Sequence, residues 1–191
     1  MRRGVAAAAA PIMALLMMVG APAPAQQYSD SYNFLKSVKE RDGPKATGLI
    51  SAPGTTIINA RGASGEGALH MLVRDRDSEW LSFMLGKGAR PDLQNDDGET
   101  PLSLAAQIGW IEGAQMLLDH RAMVDLANRR GETPLILAVR NRDVPMVRLL
   151  LAYRANPRKT DTIAGYSAID YAKQDPRAAP ILRVLDPTAH P

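Results

Sequence analysis

The 191-residue sequence contains no cysteine, only three histidines and few aromatic residues. Without cysteine the chain can form no disulfide, no thiolate metal site and no cysteine nucleophile. The sequence also lacks the motifs of phosphate-binding loops, serine hydrolases and zinc proteases. We therefore expect a noncatalytic protein that uses neither a cofactor nor a metal.

The first 25 residues have the pattern of a secretory signal peptide. Arg2 and Arg3 precede an apolar run, and residues 23–25, APA, place small residues at the usual cleavage spacing. The run is shorter than the roughly 20 apolar residues that span a bilayer. We expect cleavage between Ala25 and Gln26 and a periplasmic product without stable membrane insertion. A leader retained as an anchor is the alternative.

The basic excess of the chain lies largely in that leader. The whole sequence has 23 Lys and Arg against 20 Asp and Glu, and removing Arg2 and Arg3 leaves a net charge of +1. A nearly neutral chain lacks the basic excess of a nucleic-acid-binding protein. We therefore expect no nucleic acid partner.

A repeat dominates the rest of the sequence. Residues 98–102, GETPL, recur at 131–135, which is 33 residues later. Thr100 and Thr133 suit the N-cap of a helix, and the proline after each suits the first helical position. A fixed period of this length is typical of a solenoid of stacked helical units.

Residues 98–109, GETPLSLAAQIG, resemble the core signature of the ankyrin repeat, and residues 131–139 match it nearly as well. Weaker copies begin at Gly65 and Gly165. The resemblance implies an all-α ankyrin repeat solenoid of helix-turn-helix units joined by hairpin-like loops. The predicted segments are a leader 1–25, an N-terminal capping unit 26–61, ankyrin repeats 62–94, 95–127 and 128–160, a partial C-terminal capping repeat 161–186 and a tail 187–191.

In proteins of this family, partners are generally held by the hairpin tips and by exposed positions of each first helix. The two best-formed repeats differ in charge, since residues 95–127 carry a net charge of −5 and residues 128–160 one of +6. We predict a bipolar concave surface that orients a partner of complementary charge. The predicted partner-binding residues are Arg74, Asp75, Asp96, Asp97, Glu99, Gln107, Ile108, Arg129, Arg130, Glu132, Arg140 and Asn141.

A simpler explanation of the charges is that Arg129 and Arg130 pair with Asp96 and Asp97 on the adjacent tip. Each such surface pair is worth about 0 to 1 kcal/mol. The charge runs would then serve solvation alone.

The resemblance implies binding of another protein, as a scaffold, inhibitor or stabilising partner of an exported protein, and we expect a monomer. A small-molecule or glycan-binding protein of the envelope is the alternative, with Arg74 and Arg140 engaging anionic groups. An enzyme is disfavoured by the missing motifs.

Two local features also follow from the resemblance. His70 occupies the signature histidine, which is expected to bond to the loop of the neighbouring repeat. Arg121 and Arg154 lie where the family favours glycine after the second helix. A left-handed backbone at these arginines would cost about 1–2 kcal/mol each.

Overall fold

The computed structural model describes residues 24–51 and 54–186. The predicted leader, except its last two residues, and the tail 187–191 lie outside the described residues. Within those residues the chain forms five consecutive helix pairs and no strand, apart from an isolated bridge between Thr160 and Ser167. The pairs are α1 (Pro24–Glu40) with α2 (Gly43–Ile50), α3 (Ala68–Arg74) with α4 (Ser78–Gly86), α5 (Pro101–Ile108) with α6 (Ile111–Asp119), α7 (Pro134–Arg140) with α8 (Val144–Ala152), and α9 (Ala168–Gln174) with α10 (Ala179–Leu185).

The helices form two layers. The first helices α1, α3, α5, α7 and α9 pack on one another in order, and the second helices α4, α6, α8 and α10 do the same. Leu102, Leu117, Leu135 and Leu150 are fully buried in the core. Each unit therefore contacts mainly its neighbours, and the predicted all-α solenoid is confirmed.

The predicted helix starts are also confirmed. The Thr100 hydroxyl accepts a hydrogen bond from the Ser103 N–H at 3.0 Å, and Thr133 accepts one from the Ile136 N–H at 3.3 Å. Each threonine thus caps the first turn, where the backbone N–H groups have no partner within the helix.

The first helix starts before the predicted N-terminal unit. That unit was expected to begin at residue 26, whereas α1 begins at Pro24. The sequence signal was weak because no capping threonine and proline precede this helix. A helix pair lies in each predicted unit from 26–61 to 161–186, and the exact segment bounds remain a prediction.

Arginines replace glycine at several sharp turns. Arg121 and Arg154 follow second helices and both have φ 65°, so the left-handed backbone whose cost was considered from the sequence is present at both. Arg41, Arg76 and Arg142 follow first helices and have φ 59°, 53° and 58°, which the sequence analysis did not anticipate. Among the described residues, every non-glycine residue with a left-handed backbone is an arginine.

The three arginines after first helices reach into the next unit, and we call Arg41, Arg76 and Arg142 the latch arginines. Arg41 Nε donates to Asp77 Oδ2 at 2.5 Å, and Arg142 Nη1 donates to an Asp175 Oδ2 at 2.8 Å. Arg76 Nη2 donates to the Ile108 carbonyl at 2.6 Å. The central repeat has Gly109 at this position, with φ 67° and no such side chain.

The loops between helix pairs also join neighbouring repeats. Arg129 N–H donates to the Asp97 carbonyl at 3.0 Å, and Thr162 N–H donates to the Arg130 carbonyl at 2.9 Å. Gly98 is required here, because it has φ 75° and a Cβ would lie 2.7 Å from the Arg129 nitrogen. The loop tips therefore form a continuous hydrogen-bonded edge along the stack.

Candidate functional site

The tips of the two central loops are held by buried asparagines. Asn95 Oδ1 accepts from the N–H groups of Asp97 and Glu99 at 3.0 and 2.8 Å. Asn128 does the same for the next loop, accepting from Arg130 and Glu132. Because an amide oxygen replaces missing backbone partners, each tip is a fixed turn rather than a free loop.

Glu132 was predicted to bind a partner, but the structure buries it. The residue is only 3% exposed, and its carboxylate accepts hydrogen bonds from Asn128 Nδ2 at 2.9 Å and from Arg130 Nε at 2.9 Å. Arg140 forms a further ion pair with it. A buried carboxylate with these partners organises the two exposed arginines and is not itself available to a partner protein.

Repeat 62–94 contains a related pair. The Arg74 guanidinium binds Glu66 through two hydrogen bonds, one of them 3.0 Å between Nη1 and Oε2. These bonds lower the pKa of Glu66 and raise the pKa of Arg74. Arg74 is exposed, as predicted, but its charge is already matched within the chain.

The central repeat lacks this arrangement. Glu99 is half-buried, and its carboxylate accepts a hydrogen bond from Asn95 Nδ2 at 3.1 Å. No described cation lies within ion-pair distance of it. At the end of the first helix, Gln107 stands where the flanking repeats have Arg74 and Arg140, and its side chain is exposed.

The alternative explanation, in which Arg129 and Arg130 pair with Asp96 and Asp97, is wrong. Asp96 instead pairs with Arg61 at 3.2 Å, and Arg130 pairs with Glu132. The Arg129 contact to Asp97 is made by its backbone N–H. Several carboxylates lie within reach of each long arginine side chain, and the sequence alone does not show which of them it binds. In the described part of the chain, Asp97 and Arg129 are therefore exposed charges without an ion pair.

The remaining predicted residues lie at the ends of the first helices or directly after them. Asp75 is exposed and accepts from Arg41 at 3.0 Å. Asn141 is exposed and its Nδ2 donates to the Gln107 carbonyl at 2.7 Å. Ile108 is half-buried at the end of α5. Asp75 and Asn141 thus spend part of their hydrogen-bonding capacity on neighbouring units.

His70 connects two repeats as expected. Its Nδ1 accepts from the Gly67 N–H at 3.2 Å, so Nε2 carries the proton and donates to the Glu99 carbonyl at 2.9 Å. The ring is completely buried, and burial lowers the pKa of His70. The histidine is therefore a neutral structural link that positions the central loop.

A cavity that was not predicted from the sequence lies at the N-terminal end of the first-helix layer. It measures about 490 Å³ and is lined by Tyr32, Leu35, Lys36, Lys39, Glu40 and Met71. Tyr32 is 67% exposed. The signal was present in the spacing of Tyr32, Leu35, Lys36 and Lys39 on one helix, but the unit was interpreted as a cap rather than as part of the surface.

Residues 24–51 and 54–186 contain no group of three or more acidic, histidine or cysteine side chains that could hold a metal ion. No helix between residues 24 and 186 is both long and apolar enough to cross a membrane.

The comparison with known families agrees with the repeat geometry. Residues 69–161 match the model of ankyrin repeats, with three copies. The matched stretch runs from α3, through the three helix pairs that carry the row of Arg74, Gln107 and Arg140, to the start of the last unit. Residues 69–161 of this chain are therefore identified as ankyrin repeats.

Proposed function

We propose that the protein is a noncatalytic interaction module that acts in the periplasm, as a scaffold, inhibitor or stabilising partner of another exported protein. Ankyrin repeats are protein–protein interaction modules. The observation that carries the proposal is the row of charged and polar side chains on fixed loop tips and first-helix ends. The compartment rests on the leader pattern of residues 1–25.

The fixed tips favour recognition of a protein. A preorganised surface loses little conformational freedom when it binds, so more of the contact energy appears as affinity. Asn95 and Asn128 hold the two central tips, and Gly98 permits their close contact. Asp97 and Arg129 then present opposite charges on neighbouring tips, which suits a partner with a complementary pattern.

The small-ligand alternative loses its main binding groups. Arg74 and Arg140 were the residues expected to engage carboxylates or phosphates, and both are paired with carboxylates of the chain itself. A guanidinium already matched in this way gains little from a second anion. We therefore favour a protein partner.

The compartment is tested by expressing the full chain with a C-terminal tag in a Gram-negative host. We expect the tagged protein in the periplasmic fraction, with an N-terminus at Gln26 by intact mass. A protein that keeps Met1 and stays in the cytoplasm would contradict export. One that keeps Met1 and sediments with membranes would instead indicate an anchor.

Partner binding is tested by affinity capture from envelope extracts with three baits. They are the parent chain, an Asp97→Lys, Arg129→Glu variant and the control Arg148→Glu, whose exposed side chain lies on the second helix α8. We expect a protein that the parent and control retain and the double variant loses. Equal retention by all three would remove the loop tips from the interface. No retained protein would count against an interaction module in this extract.

A further inference from the structure

Three repeats carry glutamate at one fixed position. Glu66, Glu99 and Glu132 are each 33 residues apart and each lies just before a first helix. The residue eight positions later, near the end of the same helix, is Arg74, Gln107 or Arg140. The repeats are therefore internal controls for one another, because the same backbone holds the same acid with and without an arginine.

The two flanking repeats show which ligand this glutamate binds. The guanidinium of Arg74 forms an ion pair with Glu66, and that of Arg140 forms one with Glu132. Arg130 adds a second guanidinium to Glu132 at 2.7 Å. Guanidinium is well suited to this place because its planar fork matches a carboxylate.

Glu99 has the same setting without the cation. Glu99 lines a cavity of about 340 Å³ together with Asp97, Asn128, Arg129 and Arg130. Asp97 adds a second carboxylate without an ion pair, Arg130 is held by Glu132, and Arg129 lines the cavity without forming an ion pair to either carboxylate. The charge of Arg74 acts on Glu99 from a distance, but its hydrogen bonds go to Glu66.

We propose that the partner protein supplies the missing cation, as a basic side chain that passes the exposed Gln107 and pairs with Glu99. Arginine is the better fit, because a guanidinium fills this position in both flanking repeats. The inference rests on the proposed interaction function and adds the chemistry that the partner must bring. Gln107 is then the residue that keeps the position open.

The test uses the full chain and peptides selected on it from a random 12-residue phage-displayed library. We expect the selected peptides to share one arginine or lysine. Replacing that residue with glutamine should weaken binding to the parent about tenfold or more, as loss of a charged hydrogen bond does. With Glu99→Gln the same replacement should have almost no effect, which a double-mutant cycle measures directly.

Two arginine insertions make a matched pair of variants. Gln107→Arg should fill the position from within and weaken peptide binding about tenfold, since the chain would then pair as the flanking repeats do. Gln174→Arg makes the same change at the same register of the last unit, where Tyr166 replaces the glutamate, and should leave binding unchanged. Circular dichroism checks that both variants fold.

The outcomes separate this inference from the function on which it rests. Peptides that bind without a shared basic residue, or that bind Gln107→Arg as well as the parent, would overturn the role of Glu99 while leaving an interaction module. Selection that yields no peptide also counts against it. The proposed function is judged independently by capture from the envelope extract.

Discussion

Residues 95–127 and 128–160 each fold into a helix pair of the same form. The glutamate at the equivalent position of each repeat nevertheless has a different role. Glu132 is buried beneath Arg130 and Arg140, whereas Glu99 is half-buried beside the uncharged Gln107. The shared elements are the turn, the threonine cap and the buried leucines. The period of a solenoid thus fixes the position of a residue within its repeat. The neighbouring side chains decide whether that residue supports the fold or remains available for binding.

The largest expected effect tests the shared part of the two repeats. Leu117 and Leu150 occupy the same register and are fully buried. Leu117→Ala and Leu150→Ala should each lower the free energy of unfolding by about 2–5 kcal/mol, measured by urea denaturation. Met123→Ala is the control, because Met123 is 57% exposed and should change stability by less than about 0.5 kcal/mol. A loss confined to one repeat would show that the two cores are not equivalent.

The next effect tests the part that differs. Glu132→Gln should destabilise the protein by about 1–3 kcal/mol, because Arg130, Arg140 and Asn128 all lose a charged acceptor. Glu99→Gln removes only the charge from the acceptor of one Asn95 hydrogen bond and should change stability by less than about 1 kcal/mol. Both follow from the same urea titration. Equal losses would contradict the distinction between a structural and an available glutamate.

A smaller effect concerns pH and the third residue of the first helices. His70 lies where the central repeat has Ser103. Burial holds the pKa of His70 below its usual value. Below about pH 6.5 the unfolded chain therefore binds a proton that the folded chain does not bind. Stability should therefore fall as the pH drops from 7 to 5.

The control for this pH dependence is the residue of the central repeat itself. His70→Ser should flatten the decline between pH 7 and 5, although it also removes the hydrogen bond to Glu99. Thermal unfolding at a series of pH values measures both changes. A decline of unchanged slope in His70→Ser would assign the titration to another group.

The smallest effect concerns the left-handed turns that both repeats share. Arg121→Gly should raise stability by about 0.5–1 kcal/mol, since relief of about 1–2 kcal/mol of strain is partly offset by the greater freedom of glycine when unfolded. Arg142→Gly relieves the same strain but loses the ion pair with Asp175, so its net effect should be close to zero. A larger gain at Arg142 than at Arg121 would show that this latch contributes nothing.

The sequence predicted the backbone well and the side-chain pairing poorly. Thr100 and Thr133 marked helix starts because capping depends on residues close in sequence. Arg121 and Arg154 were noted as candidates for a left-handed backbone because the family favours glycine there. Pairs between loops depend instead on long arginine side chains that reach several acids, each worth little alone.

Errors at the candidate surface have the same physical origin. Glu132 was expected at the surface because the family resemblance puts partner-binding residues at the hairpin tips, but two arginines cover it. In the alternative explanation of the charges, Arg129 and Arg130 pair with the preceding tip, yet only the Arg129 backbone contacts it. The special position of Gln107 could have been found by aligning the repeats and asking which arginine is missing.

The latch arginines give the stack a direction. Arg41, Arg76 and Arg142 each belong to one unit and hold the unit that follows. The acceptors of Arg41 and Arg142 also have a local role, since Asp77 caps α4 and Asp175 accepts from the Arg177 N–H. During synthesis the earlier unit emerges first from the ribosome. Each folded unit therefore presents an arginine side chain that can bind the next unit once that unit has been translated.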